Sequence, residues 1–385
     1  MKRDPYKHKE KYLKWKDDIK KKKKIEGISK INSDLIIKYV FDMEIGINIS
    51  SASSKGPRGY ARLNNLRHRM RNLCKKLEDI YALRNIGELN EEQIMTFFAK
   101  MRSGEIKRED GKAYRSTGDA VKEFKAFWHW YIKIKKKEGK EIQDIAIDLD
   151  TSKDKPKWVY LDEPQMKLLA DTAKYKYKVL VWFLLDTGIR SPTELLNVKV
   201  GDFYDDFKEL NIREEASKTF GRRIKLMICS KFIEEYVKRE KLSKEDYLFS
   251  FNPQKVNEYF RRLAKRIFGE NISPAGEKYS NLTLYDFRHI SCCYWLPRYK
   301  SESALKFRFG WKKSDKIHYY SELLGMRDTI NDEDMLIDVT KVELERKLDA
   351  TEKKNSILQE RVDKMEKQMK MIFKLMRKEV IEIEN

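Results

Sequence analysis

Cysteine is scarce in this chain, which has four cysteines in 385 residues. They are Cys74, Cys229, Cys292 and Cys293, of which the last two are adjacent and none belongs to a Cys-x-x-Cys pair. This spacing indicates neither a disulfide framework nor a zinc site. We therefore expect the cysteines to be small apolar core residues of a protein in a reducing compartment.

Long hydrophobic runs are also missing. No apolar run approaches the roughly 20 residues that span a bilayer, and no apolar segment of a secretory signal follows the lysine-rich N-terminus. We expect a cytoplasmic protein without a membrane partner. A glycine-rich phosphate loop and a carboxylate metal cluster are not evident either, so the sequence predicts no cofactor and no metal ion.

Positive charge dominates what is present. Lysine and arginine number 83 against 62 acidic residues, which gives a formal net charge of +21 and a pI near 9.4. This excess favours a polyanionic partner, and a basic protein whose charges are only solvated is the alternative. Residues 1–24 hold twelve basic and four acidic residues. They are predicted to form a basic arm that stays mobile until it meets phosphates.

Apolar residues recur at helical spacing through residues 25–140. We predict helices over 25–40, 62–84, 89–100 and 114–137, which together form a compact all-α domain. The second helix has an apolar face, Leu63, Leu66, Met70, Leu73, Leu77 and Ile80, and a basic face opposite to it. The candidate residues for binding the polyanion are Lys55, Arg58, Arg62, Arg67, Arg69 and Arg71.

A linker is predicted over residues 141–158, where charged residues and proline mix without periodicity. From 159 to 335 we predict a second domain, in which helices alternate with short β-prone runs at 198–200, 210–212 and 223–228. The predicted helices of this domain include 230–239, 253–268 and 282–296. Asp162 is the predicted cap of its first helix, with Pro164 in the first turn. The fold class is therefore mainly α with a small antiparallel sheet.

Three separated motifs follow one another in this second domain. In chain order they are Thr187-Gly-Ile-Arg190 with Glu194-Leu-Leu, then Ser217-Lys218-Thr, then Tyr285-Asp-Phe-Arg288-His289 with the segment from Gly310-Trp311 to Tyr320. In residue type and order they resemble the catalytic motifs of the tyrosine recombinases, the phage-type integrases and their cellular relatives. The resemblance covers about residues 159–325, and the helical half before it suits the family's core-binding domain.

The resemblance implies that a tyrosine hydroxyl attacks a DNA phosphodiester and forms a 3′-phosphotyrosine intermediate. Arg190 and Arg288 would hold the nonbridging oxygens, because guanidinium groups bind such oxygens bidentately as negative charge develops. Lys218 would protonate the leaving 5′ oxygen as general acid, with Lys225 as the alternative. Because the covalent ester is preserved, rejoining would need neither ATP nor a metal ion.

Two positions depart from the pattern of the family. Tyr285 and Trp311 stand where the family usually or often has histidine, and a phenol or an indole N–H can also donate to a phosphate oxygen. The first motif has one residue more between Arg190 and Glu194 than the family pattern. Glu194 itself is expected to be a structural partner of a nearby cation.

The nucleophile is one of two adjacent tyrosines, which point about 100° apart on a helix. The family spacing, nine residues after Trp311, selects Tyr320, and Tyr319 stays the alternative. His289 is expected to pack and to form hydrogen bonds inside the fold.

A heptad seam runs through the C-terminal tail, at Leu344, Leu348, Thr351, Asn355, Leu358, Val362, Met365, Met369, Ile372 and Met376. It predicts a coiled coil over residues 341–380, which tyrosine recombinases do not generally carry. Asn355 lies at an a position, where a polar residue fixes the register and the number of helices. A single amphipathic helix packed on its own chain is the alternative. The coiled coil predicts dimers, which would combine into a tetramer on DNA.

These features favour a site-specific recombinase that integrates or excises the genome of a virus or mobile element. Its partner would be double-stranded DNA in the host cytoplasm and nucleoid. Two other classes stay open. One is a DNA-binding protein on the same scaffold that has lost catalysis at the two histidine positions, and the other is a coiled-coil assembly factor whose DNA binding is incidental.

Overall fold

The computed structural model describes residues 3–47, 56–114, 116–152, 156–299 and 301–314, together with 317, 320, 321, 323, 351, 355, 356, 358–366, 368 and 369. The chain divides into two compact units, Met1–Tyr320 and Ser321–Asn385. The first unit contains the helical half and the half that carries the three motifs. Within the described ranges, no helix combines the length and the apolar character needed to cross a membrane.

The described N-terminal half is built from α1 (His8–Lys22), α2 (Lys30–Ile45), α3 (Tyr60–Tyr81), α4 (Glu91–Ser103) and α5 (Thr117–Lys137). Its core is aromatic and includes the fully buried side chains of Phe97, Phe124, Phe127, Trp128 and Trp130. Each of the four helices predicted between residues 25 and 140 is present. Their apolar faces meet in this core, as a 3.6-residue period requires.

The N-terminal segment differs from the predicted mobile arm over residues 1–24. Residues His8–Lys22 form a helix in which Tyr12 and Ile19 are buried. The Tyr12 hydroxyl donates to Glu44 Oε2 at 2.9 Å, and Lys16 binds the same carboxylate at 2.7 Å. Apolar side chains among the lysines therefore anchor this segment to the helical core, a signal that the charge count concealed.

Two further expectations for the helical half are wrong. Ile80, predicted to face inward on α3, is 45% exposed because the helix leaves the core at its last turn. Part of the predicted linker is not a free connection either, since Ile145, Ala146 and Leu149 are buried in the core of the helical half. The polar residues between them break the periodicity, so these anchors were not visible in the pattern.

The second half, as far as the structure describes it, contains α6 (Glu163–Thr172), α7 (Tyr175–Thr187), α8 (Ser230–Glu240), α9 (Pro253–Phe268), α10 (Asp286–Trp295) and α11 (Glu302–Phe309). The strands β1 (Phe203–Tyr204), β2 (Glu209–Ile212) and β3 (Arg222–Lys225) form an antiparallel sheet in the order β1-β2-β3. Leu210 pairs with Ile224 at the centre of the β2–β3 register. The predicted fold class, mainly α with a small antiparallel sheet, is confirmed.

Local sequence signals predicted some boundaries of helices and strands correctly and others incorrectly. Asp162 caps α6 in a capping box with Gln165, as predicted. The run 198–200 is not a strand of the sheet. Instead Val198 and Val200 exchange backbone hydrogen bonds with the segment 246–248, and the neighbouring β1 takes the sheet position.

Helix α10 starts at Asp286 instead of the predicted residue 282. The reason is the Asp286 carboxylate, which accepts the Thr283 backbone N–H at 2.7 Å and the Thr283 hydroxyl at 2.6 Å. The same carboxylate accepts the backbone N–H of Val159 at 3.2 Å. This turn holds the residues before α10 outside the helix and fixes the start of the segment that carries Arg288.

In the second unit, the described residues 358–366 are helical. Four apolar residues of the predicted seam are exposed by about half or more, namely Leu358, Val362, Met365 and Met369. Most of the predicted coiled coil over 341–380 lies outside the described residues, so the coiled coil stays a prediction.

Candidate active site

Three consecutive residues at the end of α11 bring the predicted catalytic side chains together. The carbonyl of Phe309 accepts a hydrogen bond from Arg288 Nη2, and the carbonyl of Gly310 accepts one from Arg190 Nη2 at 2.8 Å. The ring of Trp311 lies parallel to the ring of Tyr320, with centroids 6.0 Å apart and planes 8° apart. Both arginines and the tyrosine thus converge on residues 309–311.

Two glycines shape this convergence because each ends a helix with a positive φ. Gly188 ends α7 at φ 55° and Gly310 ends α11 at φ 60°. The Gly188 carbonyl accepts a hydrogen bond from Arg288 Nη1. A Cβ on Gly310 would lie 2.8 Å from Arg222 Nη1 and 3.2 Å from Arg190 Nη1. Only glycine leaves the guanidinium groups room at this point.

The two predicted catalytic arginines differ in how far they are buried. Arg288 is 6% exposed, and its guanidinium lies 5.7 Å from the centroid of the Trp311 ring. Burial, together with the positive charge of Arg190, lowers the pKa of Arg288 to about 10. The Arg190 side chain is 15% exposed and therefore reaches the surface. A cationic site held this tightly is preorganised for an anion such as a phosphate.

The carboxylate of Glu194 lies between two arginines. Its Oε1 binds Arg190 Nη1 at 2.7 Å and accepts from Ser217 Oγ at 3.2 Å. Its Oε2 binds Arg222 Nη2 at 2.9 Å and accepts from the Arg190 backbone N–H at 3.1 Å. Burial would raise the pKa of Glu194, but Arg222 and Arg190 outweigh it and lower that pKa to about 2. The expectation that Glu194 pairs with a nearby cation agrees with these contacts.

Arg222 is a site residue that the sequence reasoning missed. It is fully buried on β3, and its Nε donates to the Arg308 carbonyl at 2.8 Å. Its Nη1 has no hydrogen-bond partner in the part of the chain that the structure describes. The alternation of buried and exposed residues along β3 could have indicated an inward arginine at this position.

Lys218 lies in the loop between β2 and β3, and its side chain is exposed. Both of its neighbours contact the arginine site. Ser217 donates to Glu194, and Thr219 Oγ1 donates to the Gly310 carbonyl at 2.8 Å. These two contacts hold the base of the loop against the site, and the Lys218 side chain between them is exposed. The alternative acid, Lys225, is exposed on β3.

Tyr320 is 2% exposed, and its hydroxyl lies 2.6 Å from Nδ1 of His289. Burial raises the pKa of the Tyr320 phenol, the neighbouring Cys292 adds to this effect, and Arg288 opposes it. The imidazole of His289 stacks on Trp158, with centroids 4.8 Å apart. His289 therefore packs inside the fold as expected, and it also contacts the predicted nucleophile. Tyr319 lies outside the described residues.

The two substituted positions occupy different surroundings. Tyr285 is 55% exposed just before α10, and its ring meets the His289 ring edge-on at 5.1 Å. Trp311 is half-buried, because it is stacked between Phe309 and Tyr320. Tyr285 is therefore open to solvent, whereas Trp311 packs against Tyr320.

The predicted DNA-binding arginines of α3 are partly engaged within the protein. Arg62 and Arg69 both pair with the buried carboxylate of Glu123 on α5. Arg67 donates to Asn64, and Arg71 donates to the Glu26 carbonyl at 2.9 Å. Arg58 precedes the helix and is half-buried, and Lys55 lies outside the described residues. The basic face exists, but the pairs with Glu123 neutralise part of its charge.

A second basic surface, on α9, was not predicted. Its exposed residues are Lys255, Arg261, Arg262, Lys265 and Arg266. The apolar residues Val256, Phe260 and Leu263 hold the opposite side of α9 in the core. The three- and four-residue spacing of these charges was present in the sequence and could have been used to find this surface.

Comparisons with solved structures identify the fold. A lambda integrase dimer bound to a COC′ core site matches with a TM-score of 0.56 and 13% identity, covering 77% of this chain and 79% of that chain. The Tn1549 transposon integrase in complex with transposon right end DNA matches with a TM-score of 0.53 and 14% identity, covering 75% and 93%. The XerH recombinase bound to a palindromic difH substrate matches with a TM-score of 0.51 and 12% identity, covering 74% and 81%.

No protein-family model and no curated protein matches the chain. The similarity lies in the three-dimensional arrangement, since identities of 12–14% leave little trace in the sequence. The chain has the tyrosine-recombinase fold.

Proposed function

We propose that this chain is a site-specific DNA recombinase, which cleaves and rejoins double-stranded DNA through a 3′-phosphotyrosine intermediate. The observation that carries the proposal is the meeting of Arg190, Arg288 and Tyr320 at residues 309–311. The fold shared with integrases solved in complex with DNA supports it. The cellular role would be the integration or excision of a viral or mobile genome.

In the proposed reaction, Tyr320 attacks the phosphorus in line with the leaving 5′ oxygen. Arg190 and Arg288 bind the nonbridging oxygens, whose negative charge grows toward the transition state. The phosphate would replace the carbonyls of Gly188, Phe309 and Gly310 as acceptor of some guanidinium donors. Tyr285, exposed beside the site, would add a hydroxyl donor, and the Trp311 indole would hold the ring of Tyr320.

Lys218 is the proposed general acid. Its ammonium group would donate a proton to the 5′ oxygen as the phosphorus–oxygen bond breaks. The base of its loop is tied to Glu194 and Gly310, so the exposed Lys218 extends from a loop that is held beside the arginines. Arginines that stabilise the phosphate charge take the part that metal ions have in many nucleases.

The test is covalent capture of nicked duplexes from a random-sequence pool. The wild-type chain is expected to form a protease-sensitive covalent adduct, in EDTA and without nucleotide. Tyr320→Phe should abolish the adduct and leave DNA binding nearly unchanged, because one hydroxyl contributes little to a basic interface. Tyr319→Phe is the matched control. An adduct lost only in Tyr319→Phe would move the nucleophile by one residue, and an absolute requirement for magnesium would indicate a nuclease instead.

The tail is proposed to assemble the enzyme. Four apolar residues of the tail are exposed on a helix, namely Leu358, Val362, Met365 and Met369. The same segment of a second chain could cover them. Dimers formed in this way would combine into a tetramer on two DNA sites. Removing residues 341–385 should convert dimers to monomers in sedimentation at micromolar concentration and leave cleavage at a single site intact. Monomers in both forms would contradict the assembly role.

A further inference from the structure

The hydrogen bond between His289 and Tyr320 has no place in the reaction described so far. The imidazole Nδ1 and the phenolic oxygen are 2.6 Å apart, which is within the range of a strong hydrogen bond. Both groups are sheltered, with His289 9% exposed and Tyr320 2% exposed. The nucleophile thus lies in direct contact with a side chain whose proton affinity suits neutral pH.

Attack by a tyrosine requires that its proton leaves. A neutral phenol is a poor nucleophile, and burial makes the free phenolate still harder to form at Tyr320. Tyr285 and Trp311 cannot take the proton, since neither a phenol hydroxyl nor an indole N–H acts as a base at neutral pH. Lys218 is already assigned to the leaving oxygen, and arginines stay protonated. A proton acceptor for Tyr320 is therefore missing from the predicted set.

We propose that His289 is a further catalytic residue, the general base that accepts the phenolic proton through Nδ1 as Tyr320 attacks the phosphodiester. This inference rests on the proposed function. The bond from Tyr320 Oη to phosphorus forms while the phosphorus–5′ oxygen bond breaks. The phenolic proton passes to His289, and Lys218 supplies a proton to the 5′ oxygen. On rejoining, the 5′ hydroxyl attacks phosphorus and returns its proton to Lys218, while the bond from phosphorus to Tyr320 Oη breaks and the imidazolium returns its proton to the departing tyrosine oxygen.

The surroundings of the pair suit a base that starts neutral. Trp158 covers one face of the imidazole, and the Tyr285 ring meets its edge. Among the described residues, the charged and titratable groups that act on the Tyr320 phenol include Arg288, Tyr285, Cys292 and Cys293 of α10 and its preceding turn. The positive charge of Arg288 disfavours a second cation beside it, and a bound phosphate would relieve that penalty. Proton transfer to His289 is thus coupled to the presence of the strand.

The variant His289→Asn distinguishes a general base from a residue that only accepts a hydrogen bond from Tyr320. The amide oxygen of asparagine lies near the position of Nδ1 and can accept from Tyr320, but it does not take up a proton at neutral pH. The substrate is the nicked duplex that the wild-type chain captures from the random pool. His129→Asn is the matched control, because His129 also bonds a side chain, Asp144 at 3.1 Å, but belongs to the helical half.

The variant is expected to cleave on the order of 10² times more slowly at neutral pH, the lower range for loss of a general base. By microscopic reversibility, rejoining should slow by the same factor, so the covalent fraction at equilibrium stays unchanged. The wild-type rate should fall as pH drops and the imidazole becomes protonated. His289→Asn should lack this acid limb, and His129→Asn should keep the wild-type profile.

Rates within about threefold of wild type, with the acid limb retained, would mean that the hydrogen bond only holds Tyr320 in place. A changed covalent fraction would also contradict the inference, because it would mean that His289 stabilises either the free or the covalent state. If His289→Asn is unfolded under the assay conditions, the pH profile of the wild-type chain decides, because a cleavage rate that does not fall in acid overturns the inference. If the wild-type chain captures no duplex, the proposed function fails, and the role of His289 fails with it.

Discussion

The two halves of the first unit contain the same three-residue ion arrangement in different settings. In the helical half, the Glu123 carboxylate lies between Arg62 and Arg69, whose side chains are each 45% exposed. In the second half, Glu194 lies between Arg190 and Arg222, which are 15% and 0% exposed. Both clusters join two arginines through one carboxylate, so the difference between them isolates the effect of burial.

The number of additional contacts follows burial. Both oxygens of Glu194 accept two donors each, whereas Oε2 of Glu123 has no hydrogen-bond partner within the described ranges. The guanidiniums of Arg190 and Arg222 are also fixed by the carbonyls of Gly310 and Arg308. The Glu123 cluster connects α3 to α5, and its arginines are accessible to water. The Glu194 cluster fixes guanidiniums in one geometry, as a preorganised phosphate site requires.

The largest expected difference between the clusters is in stability. Glu194→Gln should lower the free energy of unfolding by about 3–5 kcal/mol, because Arg222 is left buried with an unpaired charge. Glu123→Gln should lower it by about 1 kcal/mol or less, since its arginines are half exposed and can be solvated. Urea unfolding of the full chain measures both. Equal losses would mean that burial does not distinguish the clusters.

The next largest difference between the two clusters is expected in the rate of DNA cleavage. Arg190→Ala is expected to slow covalent adduct formation by on the order of 10² or more, the cost of removing one positioned transition-state donor. Arg69→Ala removes the equivalent partner of Glu123 and should change the cleavage rate by less than about threefold once binding is saturated. Single-turnover capture on the nicked duplex provides both rates. A normal rate in Arg190→Ala would reject its catalytic assignment.

Lowering the pH should reduce the stability that the buried Glu194 cluster contributes, over a defined pH range. The pKa of Glu194 is lowered in the folded chain to about 2, so its ionised form contributes stability above its ordinary value near 4.5. That contribution is lost as pH falls through about 2. The stability difference between wild type and Glu194→Gln should therefore shrink from pH 4.5 downward, by at most about 1.4 kcal/mol per pH unit. A difference that stays constant with pH would show that the charge of Glu194 is not what stabilises the cluster.

The smallest expected effect is on DNA binding. Arg262→Ala on the exposed face of α9 should lower the slope of log K against log salt by about 0.9, the value of one lost phosphate contact. Arg62→Ala should lower it by less, because Glu123 already neutralises part of its charge. Titrations on random-sequence duplex at several salt concentrations give both slopes. A larger effect at Arg62 would return the main DNA contact to α3.

The helices and their caps were largely predictable. Asp162 was placed at a helix start, and it forms a capping box with Gln165. The boundaries of α9 were predicted to the residue, since an asparagine cap, a proline in the first turn and a glycine after the last turn mark them. Errors arose where local pattern and tertiary packing disagreed. Two such cases are the lysine-rich segment with Tyr12 and Ile19 and the β-prone run at 198–200.

The sequence by itself determined the helical segments, the small sheet and the order of the motifs, because periodicity and capping depend on residues a few positions apart. Only the tertiary structure decided which side chains meet. Arg190 reaches a carbonyl 120 positions away, Arg222 reaches Glu194 over 28 and His289 reaches Tyr320 over 31. Contacts at such separations follow no period, since they arise from how α7, α10, α11 and the β2–β3 hairpin pack together.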